Sequence, residues 1–186
     1  MNAPEISIAL PTFRYHPDPI ASGSVVASTK KCRACRKARG YIYTASTYAE
    51  DDLVDCLCPW CIADGTANKK YDATFVDSEA FDATVPEAAV AEICERTPGF
   101  ASWQPERWPH CCGHATAFLE PAGTSEISAK YREHEYTLMT HVVHTMGISG
   151  GAATRLVDNL KKDAGPTAYV FRCLHCAKVH FEIDTP

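Results

Sequence analysis

The segments Cys32-Arg-Ala-Cys35 and Cys58-Pro-Trp-Cys61 decide how the N-terminal part of this 186-residue chain folds. In each pair, two residues separate the cysteines, so one tight turn can present both thiolates to a single metal ion. The 22 residues between the pairs leave room for two strands, and Pro59 favours the start of a helix at the second pair. This order of knuckle, hairpin and helix predicts a closed zinc site of the treble-clef type.

The second pair also has the spacing of a thioredoxin-like redox pair. A redox pair does not require another Cys-x-x-Cys at this distance, and the βαβ pattern around such a pair is missing here. Four unrelated buried thiols are the remaining alternative. We therefore predict a zinc ion bound by Cys32, Cys35, Cys58 and Cys61, with Cys56 at the wrong offset for a ligand.

A third Cys-x-x-Cys segment, Cys173-Leu-His-Cys176, lies between strand-like runs at residues 167–172 and 178–183. Two strands joined by a knuckle predict an antiparallel hairpin like that of a zinc ribbon. A tetrahedral zinc ion at this knuckle would need two further ligands from elsewhere in the chain.

The segment His110-Cys-Cys-Gly-His114 is the richest source of those ligands. Cys111 and His114 have knuckle spacing, whereas adjacent cysteines such as Cys111 and Cys112 rarely reach one ion in good geometry. His175 and His180 could compete locally. The sequence thus predicts a second zinc ion on Cys173 and Cys176, with Cys111, Cys112 and His114 as candidates for the other positions.

A second site with three protein ligands and a water would be a catalytic arrangement, as in a zinc-dependent hydrolase. The zinc-protease signature His-Glu-x-x-His does not occur, because His134-Glu135 is followed by Leu138 at the final position. His134, His141 and His144 share one face of a predicted helix and could form a metal or acid–base cluster. A partly exposed helix face explains them more simply, and we predict that the protein is not an enzyme.

Composition and charge narrow the class of protein. The net charge is −5 and the sequence pI is about 5.9, which disfavours sequence-independent nucleic-acid binding and suits a basic protein partner, or no partner at all. No run approaches the roughly 20 apolar residues of a membrane span, and the N-terminus lacks the basic region of a signal peptide. We expect a cytoplasmic protein whose ten cysteines are reduced and serve as metal ligands, catalytic thiols or core residues instead of forming disulfides.

The pattern of elements predicts an α+β fold with short antiparallel hairpins and about four helices. Residues 1–71 form an N-terminal arm, irregular over 1–24, plus the first zinc knuckle module. Residues 72–186 form a helical segment closed by the C-terminal zinc-ribbon hairpin, and we expect both parts to pack as one unit. The predicted helices cover residues 58–70, 86–96, 130–146 and 149–163.

Two charged runs lie near the first knuckle. A basic cluster over residues 30–39, next to Tyr41 and Tyr43, could contact phosphates and stack on bases, which makes nucleic-acid binding an alternative function. Solvated charge, or compensation of a four-thiolate zinc centre, explains the cluster equally well. The acidic run Glu50-Asp51-Asp52, with Asp55, is a candidate face for a basic partner or a solvated loop.

Several longer motifs, in this order, resemble the CbrC family from about residue 9 to residue 181. They are Leu10-Pro-x-Phe-x-Tyr-His-Pro-x-Pro19, Cys32-x-x-Cys35, Arg39-Gly-Tyr-Ile-Tyr43, Leu57-Cys-Pro-Trp-Cys-Ile-Ala-Asp-Gly65, Thr97-Pro-Gly-Phe-x-x-Trp-Gln104 and Phe171-Arg-Cys-Leu-His-Cys176. Some members carry a further Cys shortly after the position of Cys112, where this chain has Thr116.

The resemblance implies an association with bacterial tolerance to a DNase-type colicin. We therefore expect a non-enzymatic structural-zinc protein that acts like an immunity protein, binding a protein toxin or another partner. An acidic protein would complement a basic nuclease toxin in charge.

Overall fold

The computed structural model describes residues 9–185 and shows an α+β fold with short antiparallel sheets, as the sequence predicted. Residues 9–24 contain no helix or strand, while the rest of the predicted arm lies outside the described residues. The elements are β1 (Val25–Ala27), β2 (Tyr41–Tyr43), α1 (Pro59–Ala63), α2 (Thr66–Tyr71), α3 (Glu87–Arg96), β3 (His110–Cys111), β4 (His114–Ala115), β5 (Ala117–Ala122), α4 (Thr124–Lys130), α5 (Glu135–Thr140), α6 (Gly150–Asp158), β6 (Thr167–Arg172) and β7 (Val179–Asp184).

The largest sheet has the order β5-β6-β7 and is antiparallel throughout. Its central strand β6 is buried on both faces. Tyr169 and Phe171 pack towards α3 and an aromatic cluster, whereas Ala168 and Val170 pack towards α4–α6. Because side chains alternate along a strand, β6 shows an almost continuous apolar run instead of an in–out pattern.

The first knuckle has a core of its own, built around β1, β2, α1 and α2. Strand β2 pairs with β1 and also forms a bridge from Tyr43 to Leu57, immediately before the second cysteine pair. The Tyr43 ring packs edge-on against Phe75 at a centroid distance of 5.3 Å. The division of the chain at residue 71 stays a prediction.

Six α-helices occur in residues 9–185, instead of about four. The predicted helix over 58–70 is split, because Gly65 adopts a left-handed conformation (φ +74°) between α1 and α2. Helix α4 and strands β1, β3, β4 and β5 were missed. Of the two strands predicted between the first two cysteine pairs, only β2 forms there, because its partner β1 precedes Cys32. The predicted helix over 130–146 begins at Glu135 and continues beyond Thr140 as a π-helical turn, His141–Thr145. Among the described residues, none of these helices has the length and apolar character that spanning a bilayer requires.

The arm at residues 9–24 is fixed by His16, whose ring is fully buried. Its Nδ1 lies 2.7 Å from the carbonyl oxygen of Pro98, and its Nε2 lies 2.7 Å from the hydroxyl of Ser22. A carbonyl oxygen only accepts hydrogen bonds, so Nδ1 carries the proton and Nε2 accepts from Ser22. Burial lowers the pKa of His16 to about 4, so its ring is neutral in the folded protein.

This buried histidine should make stability depend on pH. Between pH 6.5, the ordinary value, and about pH 4, the unfolded chain binds a proton at His16 that the folded chain does not. Its stabilising contribution is therefore complete above that window, and up to about 3 kcal/mol is lost as the pH falls through it. Chemical denaturation of the protein and of His16→Gln across the window measures the difference in slope. Equal slopes would contradict the assignment.

Gly99 should be intolerant of a side chain. A Cβ there would lie 1.9 Å from the backbone oxygen of Phe75 and 3.1 Å from the Tyr43 hydroxyl, and the backbone oxygen cannot move aside cheaply. We expect Gly99→Ala to lower the free energy of unfolding by roughly 3 kcal/mol, as overpacking does. The matched control is Gly151→Ala in α6, where the nearest atom is the flexible guanidinium of Arg155 at 3.3 Å. An unchanged melting temperature for Gly99→Ala would refute this account.

Candidate metal centres

Two groups of four cysteines lie in the described residues. Within each group, the four sulfur atoms are all within 4.8 Å of one another. The first group contains Cys32, Cys35, Cys58 and Cys61, and the second contains Cys111, Cys112, Cys173 and Cys176. Both groups could hold a metal ion.

The sulfur–sulfur distances fit a tetrahedral ion. With metal–sulfur bonds of about 2.3 Å, the edge of a tetrahedron is about 3.8 Å. Cys35 and Cys58 are separated by 3.9 Å in the first group. In the second group, the sulfur of Cys111 lies 3.8 Å from that of Cys112 and 3.6 Å from that of Cys176.

The knuckles at Cys32 and Cys173 share one backbone arrangement. In each, the first cysteine donates its N–H to the carbonyl five residues on, with distances of 2.9 Å to Lys37 and 2.8 Å to Lys178. The residue after the second cysteine, Arg36 or Ala177, adopts a left-handed conformation with φ near 60°. The turn closes tightly enough to put both sulfurs of the knuckle on one side.

The other half of the first group is positioned by α1. Cys58 is the N-cap of this helix and Pro59 is its first residue, so Cys61 follows within the first turn. The backbone N–H of Cys58 donates to the sulfur of Cys32 at 3.3 Å, which couples the helix to the first knuckle. The sequence placed this pair at a helix start, and the structure has it there.

The other half of the second group is positioned by the β3–β4 hairpin. Cys111 pairs with His114 across the hairpin, and the two turn residues, Cys112 and Gly113, have φ of +54° and +72°. Positive φ at both positions defines a type I′ turn. This turn folds Cys112 back beside Cys111, which is how adjacent cysteines come to share one site. Glycine adopts such a φ without strain, whereas Cys112 does so at a cost.

The β5-β6-β7 sheet places the β3–β4 hairpin next to the knuckle at Cys173. Strand β5 starts just after β4, and Ala117 pairs with Arg172, the residue before Cys173. Both cysteine pairs therefore lie at the same end of the sheet. Strand β5, which the sequence pattern did not reveal, is the element that joins the two halves of the site.

Histidines lie near the second group but outside it. The rings of His114 and His175 are 6.1 Å apart between centroids, and neither belongs to the set of four sulfurs. His180 is half-buried, and its Nε2 has no hydrogen-bond partner among residues 9–185. Thr116 is buried and donates its hydroxyl to the carbonyl of Pro109 at 2.6 Å, so it has a structural role.

The histidines of the predicted 130–146 helix are not gathered into a site. Among the described residues, groups of three or more ligating atoms occur only in the two cysteine sets. His134 lies 3.5 Å from Glu133, and His141 lies 4.0 Å from Glu182. Burial raises the pKa of Glu182 to about 7, although Arg107 opposes that shift. These contacts indicate that the histidines belong to a partly buried helix surface with a structural role.

Electrostatics favour a cation at both groups. The pKa of Cys32 falls to about 4, first because Cys58 donates a hydrogen bond to its sulfur, and also because backbone N–H groups point at it. Burial raises the pKa of Cys61 to about 12. At the second group, burial and the neighbouring cysteine sulfurs raise the pKa of Cys111 to about 12. Burial also acts to raise the pKa of Cys173, but backbone N–H groups that point at its sulfur outweigh burial and lower this pKa to about 6. Four thiolates this close repel one another unless a divalent cation lies among them.

Comparison with known proteins covers nearly the whole chain. A family model described as "Uncharacterised protein family (UPF0167)" matches residues 10–185, which include both cysteine groups. The chain belongs to the UPF0167 family. A UPF0167 protein of Pseudomonas aeruginosa is 43% identical over 185 residues, covering 94% of this chain and 97% of the relative.

UPF0167 proteins of Mycobacterium bovis and Mycobacterium tuberculosis are each 40% identical to the chain over 178 residues. These alignments cover 90% of this chain and 89% of each relative. No solved structure matches the chain significantly.

Single substitutions should count the ions and identify the ligands. We expect two metal ions per chain, and about one after Cys173→Ser or Cys112→Ser, because three thiolates bind the ion far more weakly than four. His114→Ala should keep both ions, since its ring lies outside the four-sulfur set. Elemental analysis of purified protein measures the stoichiometry.

The control for these variants is Cys56→Ser, which removes a half-buried cysteine beside the first group without touching either set. It should leave both ions in place. Loss of an ion from His114→Ala, together with its retention in Cys112→Ser, would contradict the ligand set.

Proposed function

We propose that the two cysteine groups bind zinc and that both ions are structural. The observation that carries this proposal is the set of sulfur–sulfur distances, 3.6–3.9 Å, around two tetrahedral positions. A tetrahedral four-sulfur shell suits zinc or iron, and zinc is the redox-inert choice for a structural role. Four thiolates leave no position for a water or a substrate, which supports a closed site over a zinc-dependent hydrolase.

We further propose that this non-enzymatic zinc protein acts in bacterial tolerance to a colicin-type toxin, as an immunity-like protein that binds the toxin or a partner. The support is the resemblance of six motifs to the CbrC family and the net charge of −5, which complements a basic nuclease. The CbrC assignment and a cytoplasmic location belong to this proposal.

The acidic run at residues 50–55 is not a free anionic face. Arg33 lies 2.8 Å from the carboxylate of Asp51 and donates to the backbone oxygen of Asp52 at 2.6 Å. Lys30 lies 3.6 Å from the carboxylate of Asp55. The acidic run and the basic knuckle therefore neutralise each other in part, which weakens both as separate docking faces.

A better anchor for a protein partner is Trp103, whose side chain is 59% exposed. Two hydrogen bonds anchor its loop, because the buried carboxylate of Asp184 accepts the backbone N–H groups of Trp103 and Gln104 at 2.9 and 3.1 Å. Beside Trp103 lies a cleft of about 380 Å³ whose lining includes Phe100 and Tyr169. Tryptophan is among the residue types that most often dominate the binding energy of protein interfaces, which makes an exposed tryptophan beside a cleft a candidate anchor.

Capture experiments test this proposal. The zinc-loaded protein should retain a purified colicin DNase domain, and Trp103→Ala should weaken that binding at least about tenfold, as truncation of an interface anchor does. The control is Tyr136→Ala, which removes an aromatic side chain that is 84% exposed on α5. It should bind as the parent protein does.

The outcome that would overturn the toxin proposal is a lack of binding combined with unchanged survival of a deletion strain on toxin challenge. The zinc proposal is tested separately, by measuring the metal content of the same preparation.

Nucleic-acid binding is the second candidate function. The guanidinium of Arg39 lies over the Trp60 ring at 5.4 Å, and Lys31, Arg36 and Lys37 are exposed without a salt bridge among the described residues. A basic surface with aromatic rings suits single-stranded nucleic acid. Absence of a salt-sensitive gel shift with zinc-loaded protein at low ionic strength would exclude it.

A further inference from the structure

The two cysteine groups differ sharply in their access to solvent. In the first group, Cys32, Cys58 and Cys61 are buried and Cys35 is half-buried. In the second group, Cys112 and Cys176 are exposed, Cys111 is half-buried and Cys173 alone is buried. Thiolate oxidation depends on exposure, so a reagent in solution meets the second group first.

The backbone N–H groups at the second group donate hydrogen bonds to some cysteine sulfurs and not to others. The backbone N–H groups of His175 and Cys176 both donate to the sulfur of Cys173, at 3.4 and 3.5 Å. Among residues 9–185, no backbone N–H donates to the sulfur of Cys176. Hydrogen bonds stabilise a thiolate and lower its nucleophilicity. The thiolate of Cys176 is therefore both more accessible and more nucleophilic than that of Cys173.

We propose that the second cysteine group is a reaction site for peroxide-type two-electron oxidants, at which a Cys111–Cys176 disulfide forms and zinc is released. The first group keeps its ion under the same conditions. This inference rests on the proposed zinc occupancy and adds to it a reversible modification at a defined pair of residues.

The atoms and electrons of the step balance. The thiolate of Cys176 attacks one oxygen of hydrogen peroxide, so an S–O bond forms, the O–O bond breaks and hydroxide leaves. The thiolate of Cys111 then attacks the sulfenic sulfur, forming the S–S bond and expelling a second hydroxide. Two protons convert the hydroxides to water, the two sulfurs lose two electrons to the peroxide, and the ion dissociates from the two thiolates that remain.

Cys111 is the partner that the geometry favours. Its sulfur lies 3.6 Å from that of Cys176, so a bond of about 2.05 Å requires only a small approach once the ion leaves. Cys111 and Cys112 are adjacent in sequence, and a disulfide between neighbours closes a small strained ring.

The disulfide would preserve the link that the ion provides. Zinc joins the β3–β4 hairpin to the knuckle between β6 and β7, and the Cys111–Cys176 bond joins the same two segments. The oxidised protein therefore keeps its fold, and a thiol reductant with added zinc restores the starting state.

The experiment treats full-length protein carrying two zinc ions with hydrogen peroxide. Released zinc is followed with a colorimetric chelator, disulfides are mapped by tandem mass spectrometry, and the fold is followed by circular dichroism. We expect one ion per chain to be released faster than the other by about one order of magnitude or more. We also expect a Cys111–Cys176 disulfide, an unchanged spectrum, and recovery of two ions after reduction with zinc present.

Protein without zinc at the start would refute the proposed function. A protein with two zinc ions that releases both together, or neither, would refute this inference alone. A disulfide among Cys32, Cys35, Cys58 and Cys61 would also refute it, as would one that leaves Cys176 reduced. Cys56→Ser and Cys94→Ser remove thiols outside both groups and should release zinc at the parental rate.

Discussion

Mutual repulsion among four thiolates is the constraint on which the rest of the structure depends. Sulfur atoms within 4.8 Å of one another can ionise together only when a cation neutralises them. Such a group occurs twice in the described residues, and each group joins segments that are distant in sequence. With zinc bound, the free energy of metal binding becomes part of the free energy of folding.

The two groups hold different kinds of structure. The first lies inside its own small core and fixes α1 against the knuckle at Cys32. The second lies at one end of the β5-β6-β7 sheet, outside the aromatic core that stacks Phe100 on Phe118 at 4.1 Å. The first group therefore stabilises a core, whereas the second links two hairpins at the surface.

The sequence predicted what is local. Spacing of two residues identified three Cys-x-x-Cys turns, and the strands around Cys173 and Cys176 were placed within a residue. It could not choose between Cys112 and His114, because that choice depends on a type I′ turn and on the pairing of β5 with β6. The sequence of strand β5 does not alternate between apolar and polar residues, because both of its faces are covered, and Pro121 further obscures the strand pattern. The sequence also did not show that the basic cluster and the acidic run form one surface. Ion pairs join them, between Arg33 and Asp51 and between Lys30 and Asp55.

The two-residue turn at Cys112-Gly113 restricts how the family can vary in length. One residue added to or removed from this hairpin would rotate Cys111 to the opposite face of its strand and take its sulfur away from the other three sulfurs of the group. Insertions and deletions should therefore be absent between Cys111 and His114 in relatives that keep all four cysteines. They should collect instead in stretches where no ligand depends on register, such as residues 159–166 between α6 and β6.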